Sequence, residues 1–279
     1  MRRPAVFAVS GIILLTACSS ENSPQKHETI KSGEINSAGT PWSEKSHLPI
    51  EEFLLSSEDA YKISNAKNMA IEDCMHAKGE ESFKMPAAVK LPTLLERRYG
   101  LSNLAEAEKY GYAFPEGTPA PSPGPLTSRQ KALLGDRGKP GGCYVIGSSK
   151  VTGRADKATA TSPHADKIQS ESWRKSFVDS RVQSKFEEWS QCMKSKGVPY
   201  KTTMDQPEKN VPMEIQKRIA SDAVVCGLST GILDEWLHVE SEIQEKMIKG
   251  DISALAKERG EIQAQIKNAD KVYKLHNIR

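Results

Sequence analysis

The apolar residues of one long segment in the second half of the chain recur at helical spacing. Between residues 168 and 196 they follow one another at intervals of one, four, four, three and four positions, which places them on one face of a helix. These residues are Phe177, Val178, Val182, Phe186, Trp189 and Met193. Ser170-Glu171 provides a start signal. The pattern predicts a single helix over 168–196.

Helical patterns continue to the carboxyl end. They predict helices over 211–226, 232–248 and 252–275. Gly250-Asp251 is predicted to separate the last two of these helices, with Asp251 as the amino-terminal cap of the helix over 252–275.

The first half of the chain also favours helices over strands. A Ser-Ser-Glu-Asp start signal predicts a helix over Ser57–Lys78, and short helices are predicted over 91–99, 102–110 and 127–134. The sequence therefore predicts an all-α fold.

A nine-residue motif occurs at the ends of two of the predicted helices. Ile71–Gly79 (IEDCMHAKG) aligns without gaps on Trp189–Gly197 (WSQCMKSKG), and an aromatic residue follows each copy, Phe83 or Tyr200. In each copy of this CMxxKG motif, a lysine stands near the end of the helix and a glycine stands where a left-handed residue commonly closes one. The motif is interpreted as a structural device.

Four cysteines lie in the body of the chain. An even number in an exported protein indicates two disulfides. Each copy of the motif has one later cysteine, which favours the pairs Cys74–Cys143 and Cys192–Cys226. The alternative is a bridge between the two copies. The cysteines lack the paired spacing of a zinc site, so neither a metal nor another cofactor is expected.

The repeat predicts two tandem modules with one disulfide each. Helical module 1 is expected over 51–147 and helical module 2 over 168–279, with a polar linker over 148–167. Residues 115–125 contain five prolines and two glycines, which excludes a regular helix there.

The amino terminus has the features of an export signal. A basic start is followed by a 13-residue apolar run, Ala5–Ala17, which is shorter than the roughly 20 residues that a membrane-spanning helix needs. Leu15-Thr16-Ala17-Cys18 resembles the lipobox of bacterial lipoproteins. The resemblance implies a signal peptide over 1–17, a diacylglyceryl group on Cys18 and a lipid anchor at the extracytoplasmic face of the cell membrane. The alternative is an ordinary cleaved signal in which Cys18 is incidental.

Residues 18–50 are polar and are predicted to form a flexible tether between the lipid and the body. Trp42 is the only large apolar side chain in the polar stretch, and it is interpreted as the start of the folded part.

Composition excludes several classes of protein. Of 279 residues, 37% are hydrophobic and 27% are charged, and the mean hydropathy is −0.54, which is too polar for a protein that crosses a membrane many times. The net charge is +3, so the sequence gives no electrostatic footprint for nucleic acid.

No catalytic motif is found. The six histidines form neither an HExxH motif nor a comparable metal site. The pairs Glu72/His76 and His238/Glu242 share a helix face and are interpreted as surface pairs. The same solvated position is expected for four helical carboxylates, Glu187, Glu188, Glu240 and Glu242.

The lipobox, the polar tether and the repeated CMxxKG motif with its later cysteine resemble secreted lipoproteins of actinobacteria, a group of uncharacterised function. The resemblance implies a cell-surface location and a disulfide-stapled helical fold, and it supplies no catalytic residues.

The predicted function is therefore that of a non-enzymatic adaptor that binds envelope proteins or the cell wall. One alternative is an envelope enzyme that acts on wall polymers through carboxylates. Another is a solute-binding lipoprotein, a class usually built from two α/β lobes.

Overall fold

The computed structural model describes residues 42–115, 124–136, 141–154 and 162–277. Within these ranges 67% of the residues are helical and there is no strand. The α-helices in chain order are α1 (Trp42–Lys45), α2 (Ser57–His76), α3 (Leu104–Tyr110), α4 (Ser128–Leu134), α5 (Cys143–Thr152), α6 (Pro163–Phe177), α7 (Ser180–Ser195), α8 (Met213–Thr230) and α9 (Ile232–Leu275), with a 3₁₀ helix at Pro49–Phe53 after α1.

The all-α prediction is confirmed, and the described part of the chain lacks the two α/β lobes on which the solute-binding alternative depends. The predicted signal peptide, Cys18 and the first part of the predicted tether lie outside the described residues, as does most of the proline-rich segment.

Helix α9 is the central element. Its 44 residues correspond to a length of about 66 Å at 1.5 Å per residue. The amino-terminal half packs against α6, α7 and the 3₁₀ helix, and contributes Trp236 and Val239 to the largest hydrophobic core. The carboxyl-terminal half packs against α2 and α5, where Ala269 and Val272 meet Ile63.

Two disulfides join consecutive cysteines of the body. Cys74–Cys143 connects the end of α2 to the start of α5 with a Cα–Cα distance of 5.5 Å, and Cys192–Cys226 connects α7 to α8 with a distance of 5.8 Å. The predicted pairing is confirmed. The alternative prediction, a disulfide between the two copies of the motif, is wrong.

The two copies of the motif end their helices in the same way. Gly79 and Gly197 have φ values of +84° and +79°. The next residue in each copy donates its backbone N–H to the carbonyl of the motif's methionine, Glu80 to Met75 at 3.1 Å and Val198 to Met193 at 3.0 Å. This is the hydrogen bond of a Schellman closure. The structural interpretation of the CMxxKG motif is confirmed at these two helix ends.

The two predicted modules share a core. Leu95 and Tyr99, from the first, lie in the same hydrophobic cluster as Trp189 and Trp236, from the second. Helix α3 of the first segment also packs on α8 of the second. The predicted boundaries therefore separate two disulfide loops along the chain, but they do not separate two cores.

The predicted helix over 168–196 is wrong in two respects. It is two helices, because Asp179 caps α7 by accepting a hydrogen bond from the backbone N–H of Arg181 at 2.9 Å, and Val178 at the corner is 70% exposed. The first of them begins at Pro163 rather than at residue 168, with proline in the first turn, where its missing N–H costs nothing.

Two predicted loops are partly folded. The linker expected over 148–167 is helical at both ends, since α5 continues to Thr152 and α6 begins at Pro163. The predicted tether reaches residue 50, yet the body already begins at Trp42, whose indole Nε1 donates to Asp234 at 2.7 Å, and Ile50 is completely buried.

Gly250-Asp251 does not interrupt the helix, so this prediction is wrong. Helix α9 continues through both residues, and Gln244 and Leu255 are buried on either side of them. A glycine inside a helix costs about 1 kcal/mol, and the packing on both sides outweighs this cost.

Replacement of Gly250 by alanine tests the continuity of α9. A Cβ at Gly250 meets nothing within 4 Å, so Gly250→Ala is expected to raise the free energy of unfolding by about 0.5–1 kcal/mol in urea titrations. Gly197→Ala is the matched control, because its surroundings are equally open but its positive φ predicts a loss of about 1 kcal/mol. A loss of stability in both variants would contradict a continuous helix.

Candidate functional site

The described residue that most resembles a catalytic group is Glu240 on α9, a carboxylate with no solvent exposure. It lies among three chain segments. Arg98 and Tyr99 approach it from the turn that follows residue 93, Ser172 comes from α6, and Gln244 lies one turn further along α9.

Five hydrogen bonds occupy the two oxygens of Glu240. Oε1 accepts from Arg98 Nη2 at 2.5 Å, from Ser172 Oγ at 2.7 Å and from Gln244 Nε2 at 3.0 Å. Oε2 accepts from Arg98 Nε at 3.0 Å and from Tyr99 Oη at 2.7 Å. Arg98 is thus bidentate, the arrangement that stabilises a buried carboxylate most effectively.

Aromatic rings border the network. Tyr99 stacks on Trp236 with ring centroids 4.8 Å apart, and Trp173 lies 5.7 Å from Trp236. Burial raises the pKa of the Tyr99 phenol, and the adjacent Glu240 carboxylate raises it further. Both effects favour the protonated phenol, which donates its hydrogen bond to Glu240.

The network extends into the backbone. Gln244 Oε1 accepts from the N–H of Ile50 at 3.1 Å, which fixes the 3₁₀ helix. Arg98 Nη2 donates to the carbonyl of Gln169 at 2.7 Å, and the indole of Trp173 donates to the carbonyl of Arg98 at 3.2 Å. Glu240 thus holds together the amino-terminal segment, the 94–99 turn, α6 and α9.

The prediction that Glu240 is solvated is wrong, whereas Glu187 and Glu188 are exposed as predicted and Glu242 keeps 40% of its side chain exposed. A signal for its burial exists in the sequence. Glu240 and Gln244 continue the spacing of Leu233 and Trp236 along one face of the helix. A carboxylate in register with an apolar face indicates a buried charge with a partner.

A second buried carboxylate caps a neighbouring helix. Glu258 Oε1 accepts from the backbone N–H of His164 at 3.1 Å and from the His164 ring Nδ1 at 2.7 Å, and Oε2 accepts from the N–H of Ala165 at 3.4 Å. Ser162, the residue before α6, makes no side-chain capping bond. Glu258 therefore supplies from α9 the cap that the local sequence of α6 lacks.

This capping role affects ionisation. Burial opposes the charge on Glu258, but the hydrogen bonds from His164 and Ala165 outweigh burial and lower the pKa of Glu258 below its ordinary value. Burial and the charge of Glu258 raise the pKa of the nearby Asp166.

The turn before α3 explains why the helix predicted over 91–99 is wrong. Arg97 has a φ of 60°, which ends helical geometry. Its guanidinium donates to the carbonyls of Tyr112 and Ala113, both at 2.7 Å, and lies 4.2 Å from the centre of the Phe114 ring. Arg97 thus closes the loop that carries α3, and the chain reversal aims Arg98 and Tyr99 at Glu240.

Of the two His/Glu pairs predicted for the surface, one forms and the other does not. His238 and Glu242 form an exposed pair at 3.2 Å, and Glu242 also binds Arg181 at 2.9 Å. His76 instead donates to the carbonyl of Phe83 at 2.9 Å. The described ranges contain no group of three or more His, Cys, Asp or Glu side chains placed to bind a metal ion.

A concave surface lies beside the second CMxxKG motif. It is a depression of about 430 Å³. Its lining is mainly apolar, with Val198, Pro199, Tyr200, Pro207, Val211 and Ile219. Arg218, which also lines it, forms a 3.4 Å ion pair with Asp222. Neither Glu240 nor any of the side chains bound to it lines the depression.

Comparisons with known proteins give no relative, since no family model, no curated protein and no solved structure matches the chain. Among the described helices, none combines the length and the apolar composition that crossing a membrane requires.

Replacement of Glu240 tests the buried network. Glu240→Gln leaves the Arg98 guanidinium buried without its counter-charge, and we expect a loss of about 3–5 kcal/mol in the free energy of unfolding, measured by urea titration. Glu242→Gln, two residues further along the same helix, removes only exposed pairs and should cost less than about 1 kcal/mol. Similar small losses in both variants would show that the network does not stabilise the fold.

The cap on α6 predicts a pH dependence. The folded-state pKa of Glu258 is lowered, so its contribution to stability is complete above its ordinary pKa of about 4.3 and is lost as the pH falls through the folded-state value. Glu258→Gln is expected to cost about 1 kcal/mol at neutral pH, with this difference closing in acid. Part of the loss is offset because Asp166 is relieved of a neighbouring charge.

Urea titrations of wild type and Glu258→Gln at several pH values measure this difference. Glu245→Gln, an exposed residue of the same helix, is the control and should differ little from wild type at any pH. A Glu258→Gln difference that is constant or grows in acid would contradict the capping role.

Proposed function

We propose that the protein is a lipid-anchored, extracytoplasmic lipoprotein that acts by binding proteins or wall polymers of the cell envelope. The observation that carries this proposal is the pair of disulfides, Cys74–Cys143 and Cys192–Cys226. Structural disulfides persist in oxidising compartments outside the cytoplasm. They support the export signal and the lipobox cysteine, Cys18, that the sequence predicts.

The amino-terminal end of the body suits attachment to a tether. Trp42 packs edge-on against Tyr99 with ring centroids 5.8 Å apart, and its Nε1 is bound by Asp234. The first described residue is therefore fixed to the aromatic cluster at the start of α9. A chain held at the membrane through Cys18 would present a rigid body rather than a loosely connected one.

The buried carboxylates favour binding over catalysis as the function. Glu240 uses both oxygens to bind the 94–99 turn, α6 and Gln244 of α9, and Glu258 caps a helix. Substrate would have to displace these structural bonds to reach either group. The open, mostly apolar depression beside Tyr200 is more typical of a surface that contacts a partner.

Substitution of Cys18 tests the anchor. Metabolic labelling with an alkyne fatty acid should label the wild-type chain but not Cys18→Ala, and the variant should leave the membrane fraction. Ser19→Ala is the matched control and should remain labelled and membrane-bound. Labelling of Cys18→Ala at the wild-type level would refute lipid attachment at this residue.

The adaptor role is tested by cross-linking in intact cells. A tagged wild-type chain and Cys18→Ala are cross-linked, and the products are identified by mass spectrometry. Envelope proteins or wall fragments enriched only with the lipidated chain would support the proposal. Recovery of no envelope component above the Cys18→Ala control would refute it.

A further inference from the structure

The segment between α2 and the 94–99 turn follows an unusual path. Residues 83–93 form neither helix nor strand and run back along α2 in the opposite direction. Side chains of α2 hold the backbone at four points: His76 at the Phe83 carbonyl, Glu72 at the Met85 N–H, Asn68 at the Pro86 carbonyl and Ser57 at the Leu91 carbonyl.

The spacing of these anchors shows that the segment is extended. Asn68 and Ser57 are eleven residues apart on α2, which corresponds to about 16 Å. Their backbone partners, Pro86 and Leu91, are five residues apart, and an extended chain spans at most about 17–18 Å over that distance. Residues 86–91 are therefore close to full extension.

The outer side of this segment faces solvent. Val89 is 53% exposed and Leu91 61% exposed, and Lys90 between them has a side chain that is also 61% exposed. Two branched apolar side chains thus project from an extended backbone, with a lysine between them. Lys90 pairs with Glu58 at 2.6 Å, and both partners are exposed, so this ion pair is weak.

We infer that the Lys90–Leu91 peptide bond is the site at which a protease of the trypsin type cuts the folded protein between α2 and the 94–99 turn. Such enzymes bind an extended backbone in their cleft and take a lysine side chain into a pocket with a buried carboxylate. Residues 87–90, between the anchors at Pro86 and Leu91, offer that conformation, and exposed segments of this kind are where native proteins are cut.

The reaction is hydrolysis of one amide bond. Water supplies a hydroxyl group to the carbonyl carbon of Lys90 and a proton to the nitrogen of Leu91, and the C–N bond between them breaks. The products are a carboxylate at Lys90 and an amine at Leu91, and no oxidant or reductant is involved.

The disulfide determines what the cut produces. The Lys90–Leu91 bond lies inside the loop closed by Cys74–Cys143. Cleavage therefore yields two chains that remain covalently joined, with α2 still packed against α5 and α9. The cut frees the turn that carries Arg98 and Tyr99 from its peptide connection to α2.

Limited digestion of the full chain with trypsin tests this inference. We expect new amino termini at Leu91 to form at least about tenfold faster than at Met85, as quantified by mass spectrometry. Lys84 is a matched internal control, because the N–H of Met85 is bound to Glu72 and the preceding Phe83 is buried. Material cut only at Leu91 should gain the mass of one water and separate into two fragments only after reduction.

Two variants complete the test. Lys90→Gln should abolish the Leu91 terminus, and Lys84→Gln should leave its rate unchanged, with circular dichroism confirming that both are folded. Equal rates at Met85 and Leu91 would overturn the inference. Cleavage at Leu91 that begins only when the helical signal is lost would overturn it as well.

Discussion

The fold depends on neutralising one charge inside an aromatic core. An isolated carboxylate buried as completely as Glu240 would cost far more free energy than a typical domain has to spare. The bidentate contact with Arg98 offsets this cost only if the guanidinium is held in place. The backbone reversal at Arg97, the bond from Arg98 to the Gln169 carbonyl and the indole of Trp173 all serve this requirement. The positions of α6, the 3₁₀ helix and the 94–99 turn are thereby linked to a single residue of α9.

Local signals predicted much of the chain correctly. The Lys-Gly ends of the two motif helices and the short helices α3 and α4 follow from residues close together in sequence, and the pairing of the four cysteines follows from their order along the chain. The physical determinants of these helix ends are short-range as well: a left-handed glycine and a capping side chain.

The wrong predictions concern features that depend on contacts between residues far apart in sequence. The start of α6 depends on Glu258, which lies 94 residues after His164, so no signal near Ser162 could reveal it. Glu240 finds its partner Arg98 at a separation of 142 residues. Gly250 was predicted to end a helix because its local preference is poor, yet contacts on both sides of it keep α9 continuous. The candidate site was missed for the same reason, although its register on the apolar face of α9 was visible.

The order of the two disulfides has a consequence for biogenesis. Each bridge joins a cysteine to the next one of the body, so a chain exported from its amino terminus presents the correct partners one pair at a time. An oxidising catalyst that joins cysteines in order of emergence would make both native bonds without any rearrangement. In such a chain, the long α9, which packs against both bridged regions, follows all four of these cysteines and contains none. Oxidation can therefore be complete before the shared core is assembled.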